Sequence, residues 1–371
     1  MMNIVTNRAS RRVPLLWMAV VLVATMVMLS AVRPGAAESA ASPYVTSYTV
    51  PYANSEPTHI ISLGADEVWF TLQNDSAIGR LVVAGNGQPT FTRFPTPTAN
   101  SAPYDLAYDG QYIWFTERQG NRIGRLTPGT GAISETVIPT ADSQPTGITV
   151  TPDGNVWFVQ RATNKIARYN PGGGTFDEFT YPTAGAQFED VAAGRNDSIW
   201  ATAPGLNQVI QLFPDNAPSQ QFEIVPVLDF GLQPWPPAQI AVDDEKPWIT
   251  APSKDLVGRY APGTLSYWRW YELFHEGTGA RGLFLQRMGE YYYTWFTEPD
   301  GGRAGLLITH RSRATILTLF EQPLPGSSPR PMSITADPNG TAWITAPGVN
   351  AIMAWRQPYF YQGYLPATFG Q

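Results

Sequence analysis

One short stretch of the chain holds side chains suited to acid–base chemistry or to the binding of an anion. His275 and Glu276 are followed closely by Arg281 and Glu298. Histidine can exchange a proton near neutral pH, and arginine is a forked donor to anionic or hydroxylated groups. The four residues therefore predict a polar anchor for such a ligand. The alternative is a connector with surface charges and an Arg281–Glu298 ion pair, because surface pairs are common and contribute little stability.

The elements that carry these residues follow from a repeat centred on tryptophan. Seven tryptophans recur at intervals of 43 to 48 residues in motifs such as VWFT, IWFT and AWIT: Trp69, Trp114, Trp157, Trp200, Trp248, Trp295 and Trp343. A short apolar strand and a turn such as 152–155 precede each tryptophan strand. Two further strands follow it, as in 121–126 and 131–139. Four short antiparallel strands per repeat predict an all-β, seven-bladed propeller with the tryptophans packed between blades.

The two ends of the repeat region predict how the ring closes. The last repeat has no clear fourth strand, whereas residues 44–57 resemble the fourth strand and exit loop of another repeat, residues 135–145. We therefore expect residues 44–52 to supply the outer strand of blade seven, which removes an exposed edge. Residues 38–371 are predicted to form this single propeller domain after an N-terminal segment of residues 1–37.

The N-terminal segment predicts export. Three arginines precede an uncharged run, residues 13–32, and small residues follow, which is the pattern of a secretory signal peptide. Cleavage fits after Ala37 or after Ala41. The run of twenty residues is also long enough to span a bilayer, so an uncleaved anchor is the alternative. The paired arginines leave the general and the twin-arginine export routes open. We expect a periplasmic, extracellular or surface-anchored protein.

The charge balance argues against nucleic acid as a partner. Loss of residues 1–37 would remove four arginines and no acid, which changes the net charge from −6 to −10. No run of lysine or arginine would remain to neutralise phosphates. The chain has no cysteine, so its core must stabilise it without disulfides. We expect a monomer that touches a membrane only through an uncleaved anchor.

The first three repeats resemble a known family. The segments WFTERQGNRIGRL (114–126), PTGITVTPDGNVWF (145–158) and FPTPTANSAPYDLAY (94–108) are similar to the streptogramin B lyases, or virginiamycin B lyases. As a repeat pattern the likeness covers nearly the whole propeller, and it weakens from the fourth repeat onward. It implies a seven-bladed propeller that catalyses an elimination. In such a reaction a base takes the proton next to a carbonyl and Mg²⁺ stabilises the developing enolate.

The resemblance also implies two sets of working positions around one mouth of the channel. The first is a histidine after the proline that opens the inner strand, and the second is the glutamate of WFTE. The residues at the first position are Thr58, Tyr104, Thr146, Glu189, Ala238, Arg281 and Met332. The residues at the second position are Leu72, Glu117, Gln160, Ala203, Ala251, Glu298 and Ala346. His59 comes one residue late, where strand alternation is expected to turn it away.

The missing histidine decides the expected function. Tyrosine has an ordinary pKa of about 10, so Tyr104 would need a large shift to act as a base. Glu117 and Glu298 belong to nearly opposite blades. We therefore expect a module that binds a small molecule, peptide, glycan or protein at the mouth. The candidate contacts are Tyr104, Glu117, Gln160, Glu189, His275, Glu276, Arg281 and Glu298.

Two other functions stay open at this point. One is an active carbon–oxygen lyase, or another enzyme that uses the same mouth; a lyase of the family type would need Mg²⁺ as its cofactor. The other is a structural module displayed at the cell surface by an uncleaved anchor.

Overall fold

The computed structural model describes residues 42–356, apart from 196, 228–233, 244–245, 262–267 and 313–315. These residues belong to one compact unit. None of their helices is long and apolar enough to cross a membrane. The predicted signal segment, residues 1–37, and its two cleavage points lie outside the described residues.

The described residues form 28 strands in seven antiparallel sheets of four strands each. The N-terminal strand and the first three blades are β1 (Val45–Thr49); β2 (Pro57–Gly64), β3 (Glu67–Leu72), β4 (Ala77–Val83) and β5 (Pro89–Pro95); β6 (Pro103–Tyr108), β7 (Ile113–Glu117), β8 (Arg122–Thr127) and β9 (Ala132–Val137); and β10 (Pro145–Val150), β11 (Val156–Gln160), β12 (Lys165–Asn170) and β13 (Thr175–Thr180).

The other four blades continue in the same order along the chain. They contain β14 (Val191–Ala193), β15 (Ile199–Ala203), β16 (Gln208–Leu212) and β17 (Phe222–Pro226); β18 (Ile240–Asp243), β19 (Lys246–Ala251), β20 (Leu256–Tyr260) and β21 (Trp268–Glu272); β22 (Leu283–Met288), β23 (Tyr291–Glu298), β24 (Arg303–His310) and β25 (Ile316–Pro323); and β26 (Ile334–Ala336), β27 (Thr341–Ala346) and β28 (Ala351–Arg356). Short 3-10 helices lie at Pro204–Leu206, Pro218–Gln220, Pro252–Lys254 and Pro347–Val349. The predicted seven-bladed propeller is confirmed.

The N-terminal strand closes the ring, as the sequence predicts. Strand β1 pairs antiparallel with β28, with Val45 opposite Trp355 and Thr49 opposite Ala351. The side chain of Asn350 donates hydrogen bonds to the backbone carbonyls of Val50 at 3.2 Å and Tyr52 at 2.7 Å. Blade seven is therefore completed by the start of the described chain, and its outer edge is paired.

Each repeat tryptophan packs against the following blade. Trp114 of blade two lies in one apolar cluster with Ile148 and Phe158 of blade three. Trp343 of blade seven lies in another cluster with Ile60 of blade one. All seven tryptophans are buried. The predicted packing between blades is confirmed, and these clusters form the core that fixes the geometry of the channel.

Candidate functional site

The backbone at the mouth is positioned by a threonine that stands two residues after the repeat tryptophan in six of the seven blades. In six blades the threonine hydroxyl donates, at 2.6–3.3 Å, to the carbonyl of the mouth residue in the next blade. Blade three has Val159 in this place, and there the N–H of Gly147 donates to the Glu189 carbonyl at 3.0 Å. All seven mouth carbonyls are therefore bonded to the preceding blade, so the predicted mouth positions are structurally equivalent.

Three of the predicted mouth residues bond to one another across the channel. The Tyr104 hydroxyl donates to Glu189 Oε1 at 2.7 Å, and Arg281 Nη2 donates to the same oxygen at 2.9 Å. Arg161 contacts the other carboxylate oxygen. Blades two, three, four and six thus meet at one carboxylate. Burial and the Glu189 charge raise the pKa of Tyr104, so its hydroxyl keeps its proton and acts as a donor.

His59 lies closer to this network than strand alternation predicts. Strand β2 has a bulge between Pro57 and Ile60, and a bulge changes the direction of the side chains that it contains. The His59 ring packs against Tyr104, with 4.6 Å between the ring centroids. Burial lowers the pKa of His59, and its Nδ1 has no hydrogen-bond partner among the described residues. His59 does not line the mouth cavity, which agrees with the expectation that it turns away from the mouth position, although its ring contacts Tyr104.

Two partly buried aspartates follow mouth residues directly and join inner strands. Asp105 accepts the N–H of Ile148 in the next blade at 3.0 Å. Asp190 likewise accepts the N–H of Ile240 at 2.9 Å. Burial raises the pKa of both carboxyl groups. Their backbone partners in the neighbouring blade give them a structural role.

A cavity of about 550 Å³ opens at the mouth beside this network. Four of the seven predicted mouth positions line it: Thr58, Tyr104, Arg281 and Met332. Three charged residues that the sequence analysis did not single out line it as well: Glu56, Arg118 and Arg330. The cavity is therefore lined by part of the predicted ring of side chains, namely the part that belongs to blades one, two, six and seven.

The missed residues occupy positions that a closer comparison of the repeats could have found. Glu56 and Arg330 both lie two residues before a mouth residue, and both have positive φ, of 54° and 49°. The equivalent Ala102, Gln144 and Gln187 share this left-handed conformation, so it belongs to the connector rather than to one site. Of these five residues, Glu56 and Arg330 line the cavity.

The WFTE position does not lie at the mouth, which corrects the prediction for Glu117, Gln160 and Glu298. All three side chains are fully buried. Burial, together with the nearby Glu135 charge, raises the pKa of Glu117 to about 8. Burial raises the pKa of Glu298 to about 7, and Glu298 accepts a hydrogen bond from Thr278. Neither carboxylate lines the cavity.

These buried groups lie where the connector entering each blade crosses its second and fourth strands. In blade three the Gln160 amide donates to Glu178 Oε1 at 2.7 Å, while Glu178 Oε2 accepts the hydroxyl of connector residue Thr140 at 2.6 Å. In blade two Glu135 accepts the N–H of Thr98 at 2.9 Å. The WFTE position therefore belongs to a seam that fixes the connector.

Other blades hold the same seam with backbone atoms alone. Ala203 and Ala346 replace the glutamate and are followed by short 3-10 helices. There the N–H of Gly205 donates to the Ala186 carbonyl at 3.0 Å, and the N–H of Gly348 donates to the Pro329 carbonyl at 3.0 Å. Side-chain contacts in some blades and backbone contacts in others hold the same connector in place. The WFTE position therefore has a structural role in this chain.

The predicted polar group of blade six is divided between three places. Arg281 reaches the mouth and pairs with Glu189, so the expected Arg281–Glu298 pair is not formed. His275 and Glu276 line a second cavity of about 480 Å³, which shares no lining residue with the first. His275 Nδ1 contacts Glu321. The structure therefore separates Arg281 from the other three residues, while His275 lies near enough to Glu298 that the two share a contact with Thr278.

The mouth is poorly suited to Mg²⁺. This ion prefers several oxygen ligands held close together. Among the described residues, no group of three histidine, aspartate or glutamate side chains is arranged to hold a metal ion. The cavity is lined by Arg118, Arg281 and Arg330 but by only one acid, Glu56, and this excess of positive charge disfavours a cation.

The comparison with known proteins identifies the family. Residues 36–262 match the family model of the virginiamycin B lyases. The chain belongs to the virginiamycin B lyase family. The match ends before blade six, so Arg281, Arg330 and Met332 lie outside the segment that carries the family pattern.

Individual relatives match the chain over shorter segments. A virginiamycin B lyase from Nocardia farcinica is 29% identical over 100 residues, which are 27% of this chain and 34% of that protein. The enzyme of the same name from Bordetella bronchiseptica is 47% identical over 64 residues, which are 17% of this chain and 21% of that protein. The matched segments thus span about a third of the length of the Nocardia protein and about a fifth of the length of the Bordetella protein.

A solved structure supports the fold. A catalytically inactive variant of virginiamycin B lyase from Staphylococcus aureus, with alanine in place of a histidine, was solved with quinupristin. It superposes with a TM-score of 0.70 at 22% identity and covers 84% of this chain and 98% of that one. At this identity the likeness concerns the propeller itself.

Proposed function

We propose that this protein is a binding propeller whose mouth cavity takes a small molecule, peptide or glycan, without the elimination chemistry of its family. The observation that carries the proposal is the bonding of Tyr104, Glu189 and Arg281 at positions where the family pattern has its base. The cavity of about 550 Å³ lies within the range of roughly 300–1,000 Å³ that small-molecule sites occupy.

The loss of the base is the chemical reason to expect binding without turnover. Abstraction of a proton next to a carbonyl needs a base whose pKa lies near the working pH. None of the seven mouth residues is histidine. The raised pKa of Tyr104 keeps its proton in place, and both oxygens of Glu189 are engaged by donors. The catalytically inactive variant of the Staphylococcus aureus enzyme lacks a single histidine, which illustrates how much depends on that group.

We also propose that the propeller works outside the cytoplasm. The support is the order of arginines, uncharged run and small residues within residues 1–37. Periplasmic, extracellular and surface-anchored locations share this signal.

The catalytic part of the proposal is tested with quinupristin. The purified protein is incubated with quinupristin, with and without Mg²⁺, and linear product is measured by mass spectrometry beside the Staphylococcus aureus enzyme. We expect turnover to be lower by at least about 10²–10⁴-fold, which is the usual contribution of a general base. Turnover that matches the comparison enzyme would instead establish the protein as an active lyase.

The binding part is tested with a cavity-filling variant. Peptide and oligosaccharide collections are screened by saturation-transfer NMR against the protein and against Met332→Trp, which fills the cavity. Leu317→Trp is the matched control, because Leu317 lies on outer strand β25 and is 54% exposed. Ligands that bind the original protein and Leu317→Trp but no longer bind Met332→Trp would support the proposal. Ligands that both variants keep, or a screen without ligands, would contradict a binding role of the mouth.

A further inference from the structure

The charge at the mouth has the opposite sign to the charge of the whole chain. The chain carries a net charge of −6, yet three arginines line the mouth cavity: Arg118, Arg281 and Arg330. The only acid in the lining is Glu56, whose side chain is exposed. Clefts lined by charge of one sign attract ligands of the other sign.

Two of these arginines have no acidic partner among the described residues. The Arg118 guanidinium lies over the Tyr104 ring, 5.4 Å from its centroid, and none of the ion pairs of the described residues includes Arg118 or Arg330. An arginine that stacks on an aromatic ring keeps its N–H donors free in the plane of the guanidinium group. Arg118 is therefore held in place by Tyr104 while its donors remain available.

The nearby Glu189 does not cancel this excess of positive charge. Its Oε1 accepts from Tyr104 and from Arg281, and its Oε2 contacts Arg161. One carboxylate is thus shared between two arginines, and its oxygens are directed into that network. The charge balance among the cavity lining, Glu189 and Arg161 stays positive.

We infer that the mouth cavity binds an anionic ligand, whose carboxylate or phosphate group is held by Arg118, Arg330 and the remaining donors of Arg281. This inference rests on the proposed binding function and names its ligand class. Arginine donates two parallel hydrogen bonds to the oxygens of such groups, and charge-assisted bonds are about twice as strong as neutral ones. The Tyr104 ring is itself covered by Arg118 and His59, so the arginines and not this ring determine the preference for an anion.

The probes are small acids and their neutral counterparts. Binding of benzoylglycine, benzoylglycine amide and phenyl phosphate is measured by isothermal titration calorimetry at low and at high salt. We expect benzoylglycine to bind at least about tenfold more tightly than its amide, because a charge-assisted hydrogen bond contributes enough for that factor. Added salt should weaken the binding of both acids and leave that of the amide unchanged. Tighter binding of phenyl phosphate would identify phosphate as the preferred group.

Matched variants locate the effect. Arg118→Gln and Arg330→Gln should each weaken the binding of benzoylglycine about tenfold. Arg93→Gln should not, although Arg93 also stacks on a ring, 5.6 Å from the centroid of Tyr52, because it lies on outer strand β5. If the acid and the amide bind equally and Met332→Trp removes both, the ligand class is wrong and the proposed function stands. If no probe binds and the wider screen finds no ligand at the mouth, both proposals are wrong.

Discussion

Replacement of Glu117 by glutamine tests whether the WFTE glutamate is a structural group that is protonated in the folded protein. Glu117 is fully buried, and burial with the nearby Glu135 charge raises its pKa to about 8. Blade three already contains the proposed replacement, since the amide of Gln160 donates to Glu178 at 2.7 Å. Glu135 lies near enough to raise the pKa of Glu117, although neither Glu117 oxygen has a hydrogen-bond partner among the described residues. A carboxyl at this position can donate to Glu135 only while it carries its proton.

The sign and size of the effect follow from the two pKa values of this group. The unfolded chain releases the proton near the ordinary value of 4.5, whereas the folded protein holds it up to about pH 8. The folded state binds more protons in this window, so the free energy of unfolding falls as the pH rises through it. At about 1.4 kcal/mol per pH unit the upper limit is roughly 5 kcal/mol. Relaxation of the protein around a buried charge lowers this limit, and we expect the free energy of unfolding to fall by about 2–4 kcal/mol.

The assay is urea denaturation followed by tryptophan fluorescence at pH 5 and pH 9. Glutamine does not titrate, so Glu117→Gln should match the original protein at pH 5 and exceed its stability at pH 9. The converse control is Gln160→Glu, which puts a carboxyl beside Glu178 and should lose stability at pH 9. An equal gain at both pH values, or a loss at pH 9, would refute the protonation of Glu117.

Three further predictions concern closure, the mouth backbone and export. Deletion of residues 44–52 removes the strand that pairs with β28, so the melting temperature should fall markedly; an unchanged value would contradict the closure. Thr297→Val leaves the Met332 carbonyl and the Gly282 N–H without their partner, and urea denaturation should show a loss of about 1–3 kcal/mol. Thr90→Val, on an exposed stretch of β5, should change little. N-terminal sequencing of native protein should begin at Glu38 or Ser42. An intact Met1 in a membrane fraction would favour the anchor, and soluble cytoplasmic protein would exclude both.

The sequence predicts the fold well because the information is local and is repeated seven times. Each tryptophan motif, hairpin turn and third strand is readable within one repeat, and the closing strand is recognisable because it resembles the fourth strand of other repeats. The mouth positions could be predicted for the same reason. Thr58, Tyr104, Arg281 and Met332 line one cavity, and Tyr104 and Arg281 both bond to Glu189.

The contacts between these residues could not be predicted, because they join distant parts of the chain. Tyr104 and Glu189 are 85 residues apart, and Glu189 and Arg281 are 92 residues apart. In blade six, Arg281 and Glu298 lie near each other along the chain but point to different environments, so closeness in sequence does not predict a contact there. The contact between His59 and Tyr104 could not be predicted either, because it depends on a bulge in strand β2. The sequence does not show that the WFTE glutamates lie in the buried seam and not at the mouth, because a glutamate at the end of a strand is compatible with either location.

The hydrogen bonds at the mouth explain how the family fold tolerates different residues at the mouth positions, none of which is histidine. The carbonyl of every mouth residue is held by a threonine hydroxyl or a backbone N–H of the preceding blade. These bonds use main-chain atoms of the mouth residue, so they form equally well with tyrosine, glutamate, alanine or arginine at that position. Side chains at the mouth can therefore change without a loss of blade register. A repeat whose fold is held by tryptophan and threonine therefore leaves the mouth side chains free to vary, so that the function of the mouth is not fixed by the fold.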